Sequence, residues 1–136
     1  MPNGTFYFDA DGGPVHPQRI LYLNVRPQAE ALLNVILFVV DAGELAAMHA
    51  REWIYEPRVV TSELRGVSVE GGDAIMYVAL PEHIVRGAAG PRQAAVRASY
   101  LRIVEAGLAQ TDDAFRAEFA RTTDPVPEHL VIDDRR

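Results

Sequence analysis

The pattern of apolar and polar positions divides this chain into strands, one short helix, more strands, and then two helices. "TFYF" reads as a short aromatic strand closed by the turn "DADGGP". "RILYLNV" is a second strand, and "ALLNVILFVV" a third. The third is apolar almost without a break, which predicts burial on both faces, and its Val, Ile and Phe favour strand over helix. "DAGE" then opens a helix through "LAAMHAR": Asp41 can cap it, and Glu44 can complete a capping box. Leu45, Met48 and His49 share one face of that helix. Pro57 fixes the exit, "RVVTSEL" alternates as a strand, and "GVSVEGGDAIMYVAL" reads as a hairpin turning at Gly71 and Gly72.

The second half predicts helices. Gly90 and Pro91 are suited to start one over "RQAAVRASYLRIVEAG", with Val96, Tyr100, Ile103, Val104 and Gly107 as its inward stripe. "TDDAFRAEFART" follows, capped by Thr111, with Phe115 and Phe119 one turn apart. The two-proline segment from about residue 123 is expected to be extended or frayed. The sum is an α+β fold: a small mixed β-barrel or strongly twisted sheet with short helices packed outside. Residues 18–25, 32–40, 57–65 and 73–80 are the predicted strands of one sheet, and 42–51 the helix between them.

Composition bounds the rest. A chain of 136 residues is most simply a single domain, 1–136, long enough to bury one core. It has no cysteine, which removes disulfides and thiolate chemistry and makes the cytoplasm the default compartment. All thirteen basic residues are arginine, so no lysine is present to form a Schiff base. A net charge of -6 with scattered arginines argues against nucleic acid. "MPNGTFYFDADGG" is not patterned as a signal peptide, and "VILFVV" is too short to span a bilayer, so no membrane partner is expected.

Candidate chemistry is sparse. No nucleophile elbow, Walker loop or zinc-protease motif occurs, and His16, His49, His83 and His129 lack ligand spacing, so no metal is expected. A structural role suits His49 better than a catalytic one. The feature to explain is Glu52, set between Arg51 and Trp53 where the helix gives way to a strand. It reads either as a partly exposed glutamate paired with Arg51 or Arg58, or as a general base. Packing between helix and sheet is the expectation for Trp53, and a turn or intrastrand hydrogen bond for Asn24 and Asn34.

The order "ALLNVILFVVDAGELAAMHAREWIYEPRVV", "AIMYVALPE", "YLRIVEAGL" and "DDAFRAEFARTT" resembles the γ-glutamylcyclotransferase-like superfamily (AIG2-like fold) over roughly residues 18–122. In that family a buried strand precedes a helix ending in a catalytic glutamate, and a tyrosine follows. A later strand and helix each bring a further tyrosine. The resemblance implies that Glu52 is the catalytic residue and that Tyr55, Tyr77 and Tyr100 border the substrate. It further implies a cofactor-free reaction on a small-molecule γ-glutamyl amide or dipeptide. The substrate's own amino group attacks its side-chain carbonyl, releasing pyroglutamate and an amine, while Glu52 moves the proton. That role calls for a Glu52 pKa raised well above about 4.3 by packing beside Trp53 and Tyr55.

The family's first strand, with its substrate-gripping Tyr-Gly-Ser loop, has no counterpart here. Three expectations stay open: a true start upstream of Met1, an edge supplied by another chain, or a non-catalytic binding or assembly module on the same fold. A barrel lacking one strand exposes a hydrogen-bonding edge, so a homodimer or larger assembly is expected, with "TFYF" near the contact.

Overall fold

A computed structural model describes residues 6–135. The chain gathers into two compact units. One holds residues 6–23, 30–34 and 85–135; the other holds 24–29 and 35–84. The secondary structure is mixed α+β. Among the described residues the strands form two separate sheets and close into no barrel.

The first unit is built on a four-stranded sheet. Its strands are β1 (Phe6–Phe8), β2 (Arg19–Ile20), β5 (Ala94–Arg97) and β6 (Val131–Arg135), in the order β1-β6-β5-β2. β1 runs antiparallel to β6, while β6 and β2 flank β5 in parallel. The predicted turn after "TFYF" is present. Asp9 Oδ1 accepts from the backbone N–H groups of Asp11 and Gly13, and Gly12 takes φ +80°, a conformation glycine adopts without strain. The chain then returns so that Val15 N–H donates to Tyr7 O. Val15, Ala95 and Ile132 form the core, with Tyr7 and Ile20 packed against them.

Four expectations fail in this unit. The helix predicted from Pro91 begins only at Ala98: α2 spans Ala98–Leu108, and the four residues before it are β5. Ala94 and Ala95 are wholly buried and Val96 nearly so. A strand with parallel neighbours on both sides has no solvent period for a sequence pattern to show. Ile103, expected on the inward stripe of α2, is 70% exposed. The segment from residue 123 holds β6, an inner strand of the sheet. α3 (Asp113–Thr122) is capped by Asp112, whose Oδ1 accepts from Phe115 N–H, one residue beyond the predicted Thr111.

The second unit contains α1 (Ala42–Arg51) and an antiparallel pair, β3 (Tyr55–Val59) and β4 (Ile75–Ala79). α1 matches its predicted limits, and its capping box is complete. Asp41 Oδ1 accepts from Glu44 N–H at 2.8 Å, and Asp41 N–H donates to Glu44 Oε2 at 2.8 Å. Asp41→Ala should therefore cost about 1 kcal/mol in a urea melt. A change below about 0.3 kcal/mol would mean that the box does not hold the helix.

The remaining strand limits need correction. β4 pairs with β3, placing Tyr77 opposite Pro57 and Ala79 opposite Tyr55. The expected hairpin at Gly71 and Gly72 is absent, although Gly71 does take a turn conformation at φ +73°. Of 18–25, only Arg19–Ile20 is strand, and it pairs in the other sheet. Residues 32–40 form no strand. Their composition favours one, but a strand requires a neighbour's ladder, and composition cannot supply it. Asn24 has an unforeseen role: its Oδ1 accepts from Ala79 N–H at the end of β4.

Candidate functional site

Glu52 is the C-cap of α1. Its N–H donates to Met48 O, and its carbonyl accepts from Tyr55 N–H at 2.9 Å, so the helix passes into β3 through a tight turn. The carboxylate accepts from Arg51 Nε at 2.9 Å, with the Glu52 side chain 25% exposed and that of Arg51 71%. Arg58, the other expected partner, instead pairs with Glu56 at 2.9 Å. An ion pair this open to water contributes on the order of 0–1 kcal/mol.

The apolar wall expected beside Glu52 is not formed by Trp53. That side chain is 70% exposed and meets His83 edge-on, with ring centroids 5.2 Å apart. Tyr55 opens β3 and is half-buried. The Tyr77 hydroxyl is hydrogen-bonded to His49 Nδ1 at 2.7 Å, and the two rings pack at 72°. This contact pins the last turn of α1 to β4. It gives His49 the structural partner that its helical position suggests.

Tyr100 belongs to the other unit. Its hydroxyl accepts from Leu23 N–H at 3.1 Å, and its ring packs edge-on against Tyr22 with centroids 5.1 Å apart. Arg97 lies over the Tyr22 ring and donates to the Tyr22 hydroxyl at 3.0 Å. The hydroxyl of Tyr100 thus serves the fold of its own unit. Glu52, Tyr55 and Tyr77 share one unit, while Tyr100 lies outside it.

Two concave pockets lie in the first unit. One, of about 380 Å³, is lined by Asp9, Glu128 and Asp133 among others; the second, of about 420 Å³, lies over Val15 and the turn at 89–93. Neither touches Glu52, Tyr55, Tyr77 or Tyr100. Among the described residues no group of three or more His, Asp or Glu side chains could hold a metal ion.

What sequence reasoning placed wrongly is the apolar run before α1. Val35, Ile36, Leu37, Phe38 and Val39 are 48%, 67%, 44%, 70% and 98% exposed. In the same unit only Ala74 and Val78 are buried, and α1 buries no residue. The signal was legible as an uninterrupted apolar run, but it pointed to burial on both faces.

Among the described residues no helix is long and apolar enough to cross a membrane. No family model, curated protein or solved structure matches this chain.

Proposed function

We propose that this chain is a binding or assembly module that works by joining another polypeptide through its second unit. The observation that carries this reading is the run at 35–39. Five consecutive apolar side chains stand open in a unit that buries only two residues of its own. Exposed apolar patches larger than a few hundred Å² mark interaction sites on ordinary proteins. A unit with so small a core is marginal by itself, so covering this run with another polypeptide would add to its burial.

A second reading, the cofactor-free γ-glutamyl cyclotransferase, is favoured by one specific observation. Glu52 is three-quarters shielded and shares its unit with Tyr55 and Tyr77. On that reading Glu52 takes a proton from the attacking amine and returns it to the leaving amine. A small barrel around the site belongs to that reading.

One assay separates the two. The chain and its Glu52→Gln variant are incubated with a panel of γ-glutamyl amines and dipeptides, and pyroglutamate is measured. The module reading expects no release above the uncatalysed rate from either. It also expects the variant to lose no more than about 1 kcal/mol of stability, because the pair removed is screened by water on its Arg51 side. Release by the wild type that Glu52→Gln abolishes would overturn the module reading and establish the enzyme.

A further inference from the structure

The two units differ in what holds them together. Among the described residues the first buries Val15, Ala94, Ala95, Val96, Leu130 and Ile132, and the second buries only Ala74 and Val78. The elements of the second unit are also of kinds that stand poorly alone. β3 and β4 form a two-stranded sheet, and an isolated pair of strands is marginal in water. α1 has ten residues and buries none of them, and helices under about 12–15 residues are marginal without tertiary packing.

Polar bonds supply the rest. The capping box holds α1, and the Tyr77 hydroxyl meets His49. The Thr61 hydroxyl accepts from Ala74 N–H, and Asn24 Oδ1 accepts from Ala79 N–H. Each such bond adds little net stability, because water offers the opened groups equivalent partners.

The topology lets the first unit persist without the second. β1, β2, β5 and β6 all lie outside residues 24–29 and 35–84, and so do Val15, Ala95 and Ile132. Opening the second unit breaks no ladder of the first sheet and removes no residue of its core. It turns the crossover between the parallel neighbours β2 and β5 into a long loop, and closure entropy grows only as the logarithm of loop length.

We infer that the second unit is an order–disorder element, which opens and closes as one cooperative block while the first unit stays folded. The Tyr77 to His49 bond ties α1 to β4, and the ladder ties β4 to β3, so the three elements open together. Switching segments are drawn from the least stable part of a fold. A ligand selective for the closed block shifts this equilibrium by its differential affinity, which makes closure a point of control. The inference goes beyond the module reading and stands without it.

Amide hydrogen exchange on the full chain, followed by NMR, tests it. Met48 lies within α1 and Val78 within β4, while Ala95 and Ile132 lie in the inner strands β5 and β6. Met48 and Val78 should share one protection factor, at least about tenfold lower than those of Ala95 and Ile132. Their exchange should also rise less steeply with urea, since opening one unit exposes less surface than unfolding the chain. Asp41→Ala should speed exchange at Met48 and Val78 alike by about fivefold, the effect of one lost cap, and leave Ala95 and Ile132 unchanged.

A protection gap smaller than tenfold would overturn the inference. So would Asp41→Ala acting on Met48 alone, because the helix would then open without β4. Met48 and Val78 with no protection at all would overturn it equally, because no closed block would be populated.

Discussion

Replacing Ile132 with Ala should destabilise the chain by about 2–5 kcal/mol, the largest effect expected of any substitution considered. Ile132 is fully buried, and among the described residues it is the largest side chain in that state. It sits on β6 opposite Arg97 of β5 and packs with Val15 and Ala95. Truncation removes three carbons from a site whose neighbours belong to a hydrogen-bonded sheet and cannot easily close the gap. Ile132→Val should cost only about 0.5–1.5 kcal/mol, because one methylene is lost. Urea melts should show a lower midpoint with an unchanged slope. A loss under about 0.5 kcal/mol from Ile132→Ala would mean that the segment after residue 123 does not complete the sheet.

That expectation bears on what the sequence made legible. α1 was readable to the residue because its signals are local: Asp41 and Glu44 interact across three residues. The "DADGG" turn was readable for the same reason. β5 and β6 were not, because both are made strands by neighbours distant in sequence. β5 gains its ladder from β2, some 75 residues earlier, and from β6, some 35 later. "QAAVRASYLRIVEAG" is rich in the helix formers Ala, Arg, Leu, Gln and Glu, and only the tertiary partners convert its first residues into strand.

The candidate site divides along the same line. Glu52 at the end of α1 was legible, and its partner was narrowed to Arg51 or Arg58, of which the fold takes its sequence neighbour Arg51. The His49 to Tyr77 contact was not, because it depends on how α1 meets β4. Tyr77 and Tyr100 were expected to border one pocket. The hydroxyl of each is engaged elsewhere, with His49 and with Leu23 N–H respectively. For 35–40 the composition favours a strand, and among the described residues no ladder forms on it.

Asp134→Asn should cost about 1–2 kcal/mol near neutral pH, and the cost should vanish in acid. Arg97, the residue before α2, gives the helix no side-chain cap. The cap comes from β6 instead: Asp134 Oδ1 accepts from Ser99 N–H at 2.9 Å, and its other oxygen accepts a short bond from Ser99 Oγ. Burial pushes the Asp134 carboxyl up. The two bonds from Ser99, its own backbone N–H and the nearby charge of Arg97 together outweigh burial and hold it below its usual value of 3.8. Because the folded value lies below the unfolded one, the stabilisation is fully present above the ordinary aspartate range. It is lost as pH falls through the depressed folded value. Asn keeps the shape and one acceptor but carries no charge to the helix N-terminus, so its own stability lacks this pH dependence. Thermal melts of both proteins from pH 7 downward should show a gap that is constant at first and then closes in acid. A gap that persists at the lowest pH would mean that Asp134 acts through shape alone. A gap absent at pH 7 would mean that its carboxylate does not cap α2.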